Sequence, residues 1–104
     1  MGGNYIIIMT EIQFNWDKNK NLINQRKHNI AFEEAVSVFW DEEALIIDDP
    51  DHSESEDRFI ILGISANTNL LVVCHCYREN DTIIRIISAR RATKTETVFY
   101  KNSI

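Results

Sequence analysis

The sequence predicts an α+β domain in which two N-terminal helices and a short C-terminal helix pack against a largely antiparallel sheet. Helical patterns occupy residues 18–28 and 32–40, whereas β-branched segments separated by short polar turns fill residues 58–89. Strands joined by short turns are antiparallel neighbours, so these segments belong to one sheet. A chain of 104 residues can bury one core and has no room for a second, which predicts a single domain over residues 1–104.

The first element of the domain is a short strand that leads into a helix. Apolar and polar side chains alternate over residues 12–16, which indicates a strand with one buried face. Asp17 supplies an N-cap for a helix over residues 18–28. Leu22 and Ile23 are the apolar side chains of this helix, and we expect them to form a narrow buried stripe.

A basic turn separates this helix from the next one. Arg26, Lys27 and His28 are followed by Asn29, a residue that readily takes the left-handed conformation at a helix end. Cations at a helix C-terminus complement the helix dipole, which explains Lys27 and His28 without a catalytic role. Residues 32–40 then place apolar side chains at i, i+3, i+4 and i+7, so they predict the second helix.

Four further strands complete the predicted sheet, and they cover residues 44–47, 58–65, 70–78 and 82–89. The last of these has β-branched side chains on both sides of the pleat at Ile83, Ile84, Ile86 and Ile87. Such a strand suits a central position that is covered on both faces. Gly63 interrupts the second strand and indicates a bulge or a close approach of another segment.

The two cysteines are predicted to be reduced and structural. Cys74 and Cys76 lie two residues apart on one strand, so their β-carbons are roughly 6–7 Å apart on the same face, too far for a disulfide. A zinc site would need two more ligands, and only His28, His52 and His75 are available to supply them. We therefore expect neither a metal ion nor another cofactor.

Charge is distributed unevenly along the chain. Its formal net charge is −5, but residues 1–60 carry 5 basic and 13 acidic side chains, whereas residues 61–104 carry 6 basic and 3 acidic ones. Nine of the acidic residues fall within residues 41–57. This segment lacks the glycine and the ligand spacing of a calcium loop, so we expect a solvated surface loop. An anionic ligand would bind the C-terminal half, where the local field is positive.

From the residue types at the N-terminus we expect no targeting signal. The start MGGNYIIIM lacks the basic region of a signal peptide. No stretch reaches the roughly 18 apolar residues of a membrane span, so we expect a cytoplasmic protein without membrane contact. Residues 1–10 are predicted to be an extension or a disordered segment, and both Met1 and Met9 are candidates for the start residue.

The most informative stretch is RIISARRATKTETVFY, residues 85–100. Arg90 and Arg91 follow directly on the apolar strand, and Thr93 to Glu96 has the spacing of a capping box that begins a helix over residues 94–101. Two guanidinium groups beside the amides of a helix start favour a phosphate ligand. The simpler alternative is that both arginines are solvated or paired with surface carboxylates.

Five segments of the chain resemble the BrnT toxins, in the same order and over residues 14–100. They are FNWDKNKN, RKHNIAFEEAVSVFWD, DDPDHSESEDRFIILG, LLVVCHCYRE and RIISARRATKTE. The resemblance implies a RelE-like fold, cleavage of RNA, and neutralisation by a ribbon-helix-helix antitoxin called BrnA. Asn29 and Ala31 depart from the family pattern, which has glycine and a small hydroxyl residue at these places.

Metal-free RNA cleavage needs a base, an acid and cations around the phosphate, and the chain offers candidates for each. Arg90 is the first candidate for phosphate stabilisation, and Arg58 and Lys27 are supporting cations. Either His75 or His28 would move protons. Glu96 has two open explanations, as the capping-box partner and as a group that orients an arginine. The residues that we expect to bind RNA are Arg91, Arg85, Lys94 and Tyr100.

Two functions of different class remain at this stage. In the first, the chain is a ribonuclease toxin that binds RNA and a BrnA-like antitoxin, and it meets DNA only through that antitoxin. In the second, it is a catalytically inactive binding module that modulates the DNA binding of the antitoxin. The acidic net charge favours the second, because proteins that bind nucleic acid are usually basic.

Overall fold

The computed structural model describes residues 4–9, 12–50 and 57–104 of the chain. The strands are β1 (Asn4–Met9), β2 (Ile12–Asp17), β3 (Leu45–Asp48), β4 (Phe59–Ile64), β5 (Leu70–Arg78) and β6 (Ile83–Arg91). The helices are α1 (Lys18–His28), α2 (Phe32–Ser37), which continues into a 3-10 turn at Val38–Trp40, and α3 (Lys94–Asn102). None of the helices in the described part of the chain is long and apolar enough to cross a membrane.

The strands form one mixed sheet in the order β1-β2-β6-β5-β4-β3. The predicted α+β class is confirmed, and β6 is an interior strand as its two-sided apolar pattern indicates. The prediction of a largely antiparallel sheet is confirmed only in part, because β2 pairs with β6 in parallel. The alternation of apolar and polar side chains along residues 12–16 reveals a strand with one buried face. It carries no information about the direction in which the neighbouring strand runs.

The N-terminal residues contribute the edge strand β1, which pairs antiparallel with β2 from Asn4 opposite Asp17 to Met9 opposite Ile12. Residues 1–3 and 10–11 lie outside the described residues, as does the tip of the acidic segment, residues 51–56. The prediction of an extension over residues 1–10 and the choice of start residue therefore stay predictions.

The main core lies on the face of the sheet that α1, α2 and the 3-10 turn cover, which we call the helix face. Its largest side chains are aromatic: Trp16 packs edge to face on Phe32 at 6.2 Å between ring centroids, and Phe14 packs on Phe39 at 5.1 Å. Phe14, Trp16 and Phe32 are completely buried. The strands, the loop residue Ile30, α2 and the 3-10 turn supply the apolar side chains of this core, which leaves α1 a different role.

Helix α1 docks on the sheet through amides, so the predicted apolar stripe of this helix is wrong. Leu22 and Ile23 are 44% and 57% exposed, whereas Asn21 and Asn24 are buried. Asn24 donates to the carbonyl of Ala89 at 2.8 Å and accepts from its amide at 3.1 Å, which continues the hydrogen bonding of β6 sideways into the helix. A buried side-chain amide is tolerated because its hydrogen bonds are made.

The second buried asparagine caps the next helix. Residue Ala31 at the N-cap of α2 has no side-chain acceptor, but Asn21 Oδ1 accepts from the amide of Phe32 at 2.9 Å. One amide of the first turn of α2 is therefore satisfied from eleven residues further back in the chain. The same contact fixes the angle between α1 and α2.

The opposite face of the sheet, which we call the cleft face, carries α3 over part of its area. Tyr100 packs there with Leu62 and Val72 in a second, smaller cluster. The phenol of Tyr100 donates to Asp41 Oδ2 at 2.6 Å, and this carboxylate also accepts from the amide of Ile64.

Gly63 provides the close approach that the sequence indicates rather than a bulge, because β4 and β5 pair in unbroken register at this position. A β-carbon at Gly63 would lie 2.9 Å from side-chain atoms of both Ala44 and Val38. The 3-10 turn and the segment after it can reach β4 only because this side chain is missing.

Candidate active-site cleft

A β-bulge in β6 determines which side chains reach the cleft face. His75 pairs with Ile86 and Cys74 pairs with Ser88, so Ile87 has no partner in β5. One extra residue reverses the alternation of side chains beyond it. Ile86 and Ala89 therefore both belong to the main core, although they are three residues apart. Arg90 consequently faces the cleft instead of the helix face.

One uncovered part of the cleft face forms a depression of about 270 Å³, which we call the cleft. It lies between the C-terminal end of α1, the start of β4, the middle of β5 and the end of β6. The residues that line it are His28, Asp49, Arg58, Ile60, Val72, Cys74, Ile87, Ser88, Ala89 and Arg90. Three of the predicted catalytic residues, His28, Arg58 and Arg90, thus come together from separate segments of the chain.

The guanidinium of Arg90 is held by the carboxylate of Glu96. Arg90 Nη1 and Nη2 each donate to one oxygen of Glu96 at 2.9 Å, in a bidentate pair. The Arg90 hydrogen bond lowers the pKa of Glu96 to about 2. Because two planar groups joined in this way have a fixed relative orientation, the position of α3 determines where the arginine fork lies.

Glu96 makes the contacts of both explanations that the sequence leaves open, the capping box and the pair with an arginine. Its Oε1 accepts from the amide of Thr93 at 2.8 Å, while its own amide donates to the Thr93 hydroxyl at 3.2 Å, which completes the predicted capping box. The same oxygen accepts from Arg90. The capping box and the arginine contact therefore share one carboxylate, and the start of α3 is coupled to the orientation of Arg90.

His28 reaches the cleft from the last turn of α1. Asn29 ends this helix in the left-handed conformation, with φ of 58°, as the sequence predicts. Arg91 Nη1 donates to the carbonyl of His28 at 3.2 Å, and Asn24 joins the same helix to Ala89. These two contacts hold the end of α1 beside the last residues of β6, which brings His28 and Arg90 to the same cleft.

The floor of the cleft contains a thiol and a carboxylate beside Arg58. The Cys74 thiol donates to Asp49 Oδ2 at 3.4 Å, and the backbone amide of Asp49 donates to the carbonyl of Arg58 at 3.0 Å. Burial and the neighbouring Asp49 carboxylate raise the pKa of Cys74 to about 12. Cys74 is therefore a protonated thiol that donates a hydrogen bond, and it is a poor nucleophile at neutral pH.

His75 lies on the helix face, away from the cleft. Its side chain is 0% exposed and packs among aromatic rings, with Phe39 at 4.9 Å and Tyr77 at 5.4 Å between centroids. Nδ1 lies 3.2 Å from the carbonyl of Val73, and Nε2 has no hydrogen-bond partner among the described residues. Burial lowers the pKa of His75 to about 4. The imidazole is therefore neutral, and no ligand in the cleft can reach it.

Tyr100 is also placed differently from the sequence-based prediction that it contacts RNA. Its side chain is buried in the cluster beneath α3, and its hydroxyl is bound to Asp41. Burial and the hydrogen bond to Asp41 raise the pKa of Tyr100 to about 12. In this structure Tyr100 attaches α3 to the sheet, which indirectly positions Glu96.

The remaining predicted residues do not line the cleft. Lys27 and Lys94 are exposed at the end of α1 and the start of α3, respectively. Arg91 is exposed beside them, with its guanidinium on the carbonyl of His28. Arg85 lies near the start of β6 and donates to Asn15 Oδ1 at 3.1 Å. The three exposed cations border the same end of the sheet as Arg90.

Asp49, Cys74 and Ser88 line the cleft, but sequence reasoning assigned them no site role. Asp49 belongs to the acidic segment that we expected to be solvated, and it is buried. Its position directly after the last residue of β3 was the available signal, because a strand end places its next side chain beside the sheet. No cluster of three or more His, Cys, Asp or Glu side chains suited to a metal ion occurs in the described part.

Comparison with known proteins identifies the family of this domain. A family model described as "Ribonuclease toxin, BrnT, of type II toxin-antitoxin system" matches residues 16–96. The crystal structure of the Brucella abortus ribonuclease toxin BrnT is similar, with a TM-score of 0.57 and 18% sequence identity over 76% of this chain and 94% of that one. No curated protein sequence matches the chain. The structural likeness shows the shared fold.

Proposed function

The chain belongs to the BrnT family of ribonuclease toxins from type II toxin–antitoxin systems, and we propose that it is a metal-independent endoribonuclease that cleaves RNA in the cleft. The observation that carries the proposal is the meeting of Arg90, Arg58 and His28 in one depression on the sheet. Two permanent cations and an imidazole are the groups that cleavage of a phosphodiester requires when no metal ion takes part. Likeness to RelE stays a prediction.

In the proposed reaction, the 2′-oxygen of a ribose attacks the adjacent phosphorus and the bond from phosphorus to the 5′-oxygen breaks. A base removes the 2′ proton, and the leaving oxygen must receive one, which leaves a cyclic phosphate and a 5′-hydroxyl. Arg90 and Arg58 stabilise the charge that develops on the non-bridging oxygens. His28 transfers protons, since imidazole both accepts and donates them near neutral pH.

Glu96 is proposed as the residue that orients Arg90. An arginine has five N–H donors, and the contact with Glu96 uses two of its nitrogens, so further donors remain for a phosphate. Lys27, Arg91 and Lys94 are proposed to contact the RNA backbone on either side of the cleft. Arg85 extends this positive surface along β6.

His75 and Tyr100 are left out of the proposed site for physical reasons. A completely buried imidazole on the helix face cannot exchange protons with a substrate on the cleft face. A phenol that is buried under α3 and donates to Asp41 has no surface for a base to stack on. His28 is therefore our choice between the two histidines that the sequence left open.

The proposed partner is a BrnA-like ribbon-helix-helix antitoxin. Type II systems pair the toxin with a protein antitoxin, and the antitoxin would connect the chain to DNA. We propose that the chain works in the cytoplasm, where both its RNA substrate and this antitoxin are present.

Incubation of the purified, antitoxin-free chain with end-labelled RNA in excess EDTA tests the proposal. We expect cleavage that EDTA does not reduce and products that end in a cyclic phosphate. The Arg90→Ala variant, purified in the same way, controls for contaminating nucleases and should lack the activity. Intact RNA with the parental chain would reject the proposed activity, and cleavage that EDTA abolishes would reject its metal independence.

A catalytically inactive binding module is the second candidate. The favouring observation is that Glu96 already neutralises Arg90 in a bidentate pair, within a chain whose net charge is −5. In that case the chain would act only by changing how the antitoxin binds operator DNA. Unchanged RNA in the assay above, together with a shift of the operator affinity when the chain is added to the antitoxin, would favour this function.

A further inference from the structure

An apolar groove follows the open edge of the sheet on the cleft face, between β3 and α3. It is lined by Leu45, Ile47, Ile60, Leu62, Val72, Glu96 and Phe99, and we call it the edge groove. Ile47 and Phe99 stand on its two sides and are 51% and 56% exposed. Two large apolar side chains that face solvent across a groove indicate a surface that a partner covers.

The backbone beside the groove is also open. Strand β3 is the last strand of the sheet and pairs only with β4 in the described part of the chain. The amide of Asp49 donates to the carbonyl of Arg58, and hydrogen bonding alternates along an antiparallel pair. The amides and carbonyls of Ile46 and Asp48 therefore point away from β4, toward the free edge. Such an edge can accept another strand.

The charges around this edge select the kind of partner. Glu42 and Glu43 precede β3, and Asp48 ends it. These carboxylates repel nucleic acid. They also oppose a second copy of this chain, because antiparallel pairing of two β3 strands would bring the Glu42 and Glu43 end of one copy to Asp48 of the other. An apolar segment that carries lysine or arginine has the complementary chemistry.

We propose that the edge groove binds an extended protein segment with alternating apolar and basic side chains, which adds to β3 as a further strand. Its apolar side chains lie between Ile47 and Phe99, and its basic side chains meet Asp48 and the glutamates before β3. The inference rests on the proposed function in one respect, since we take the antitoxin as the protein that supplies this segment.

Occupation of the edge groove has a consequence for the cleft, because Ile60 and Val72 line both depressions. Glu96 lies in the groove and also holds Arg90. A segment that ends over these shared residues therefore blocks access to the cleft without a direct contact to Arg58 or His28. Binding and inhibition are then properties of one surface.

Two substitutions test the side-chain part of this proposal. Ile47→Lys and Phe99→Lys each place a cation where the basic segment would lie, and Ile23→Lys on α1 is the matched control, since Ile23 is 57% exposed away from this edge. The probe is the antitoxin encoded beside the chain, measured by calorimetry. We expect each groove variant to bind on the order of tenfold more weakly or worse, and the control to bind like the parent. Parental affinity in both groove variants overturns the proposal.

The backbone part is tested by Ile46→Pro and by amide exchange. Proline at Ile46 removes an outward-pointing amide and leaves the pairing with β4 in place, so the variant should keep the parental Tm and lose antitoxin affinity. Protection of the Ile46 and Asp48 amides should rise on complex formation in the parent. Unchanged exchange at both amides overturns strand addition.

RNA cleavage by the same variants separates this proposal from the proposed function. Ile47→Lys and Phe99→Lys lie outside the cleft, so each should cleave RNA at the parental rate when free and should resist inhibition by the antitoxin. If the parent itself leaves RNA intact, the proposed activity fails, whereas weakened antitoxin binding by the groove variants would still support the docking site.

Discussion

The two faces of the sheet differ in what their side chains do, although they are built from the same strands. On the helix face, the aromatic side chains of Phe14 and Trp16 from β2 and Phe32 from α2 are completely buried in the main core. On the cleft face, α3 covers only a small apolar cluster, and beside it polar and charged groups are arranged around a depression. The helix face is closely packed and contains the main core, whereas the cleft face leaves a depression that is open to a ligand.

The histidines show the difference most directly. His75 is fully buried among aromatic rings and has a lowered pKa of about 4, while His28 lies half-buried at the rim of the cleft. Residue type alone made both candidates for proton transfer. Only the face on which each side chain lies separates a neutral core residue from a group that a substrate can reach.

The largest expected effect is on the helix face. Phe32→Ala removes a completely buried ring that packs on Trp16, and we expect a loss of about 3–5 kcal/mol in the free energy of unfolding. Phe99→Ala is the matched control on the cleft face and should change it by about 0.5 kcal/mol or less. Urea denaturation measures both. Similar losses in the two variants would contradict the assignment of the core to one face.

On the cleft face the expected effect is on activity. Arg90→Ala removes a hydrogen-bond donor to the charge that develops on the phosphate. The activation free energy of RNA cleavage should rise by about 3 kcal/mol, which lowers the cleavage rate on the order of a hundredfold. Loss of its partly exposed pair with Glu96 should lower the free energy of unfolding by only about 1 kcal/mol or less. Thermal melting and RNA cleavage on one preparation compare the two quantities.

Arg26→Ala is the control for Arg90→Ala, since Arg26 is exposed on α1 and does not line the cleft. It should leave the cleavage rate unchanged. Arg90→Lys keeps the charge and loses the planar fork, so full activity in this variant would mean that a point charge suffices. A parental cleavage rate in Arg90→Ala would place the active site elsewhere.

A smaller effect comes from the buried His75 and depends on pH. Its folded-state pKa of about 4 lies below the unfolded value of 6.5, so the unfolded chain takes up the proton first as the pH falls. Stability is therefore lost from about pH 6.5 downward, by about 2 kcal/mol between pH 7.5 and pH 5, and the loss from this group ends below about pH 4.

Denaturation of His75→Phe at the two pH values tests this prediction. The variant keeps an aromatic ring in the aromatic pocket and has nothing to protonate, so its stability should fall by about 2 kcal/mol less than that of the parent. His28→Gln is the control and should retain the parental pH dependence. Identical pH profiles for parent and His75→Phe would show that His75 is not the responsible group.

The smallest expected effect concerns Glu96. Its folded-state pKa of about 2 is below the ordinary value of 4.5, so its stabilisation is present above about pH 4.5 and is lost as the pH falls toward 2. Because the pair with Arg90 is about one-third exposed, solvent screening leaves only about 0.5–1 kcal/mol. Glu96→Gln should show this deficit at pH 7, and most of the deficit should have disappeared at pH 2. A constant difference across that range would contradict the ion-pair explanation.

The sequence by itself determined most of the local structure. Alternation and β-branching revealed the strands from β2 to β6, and Asp17, Asn29 and the box from Thr93 to Glu96 marked helix ends that the structure confirms. These features depend on residues within a few positions of one another. The same local reasoning selected Arg90 as a residue that follows an apolar strand beside a helix start.

Only the tertiary structure decided which of these residues meet. The bulge at Ile87 depends on pairing between β5 and β6, and it alone turns Arg90 to the cleft. The buried Asn24 bonds to Ala89, 65 residues away. Helix α1 therefore contacts the sheet through this side-chain amide, and not through the apolar stripe expected from Leu22 and Ile23. Hydrophobic patterns record burial along one segment, whereas a polar contact between distant segments leaves no periodic signal, because it is satisfied only after the fold has formed.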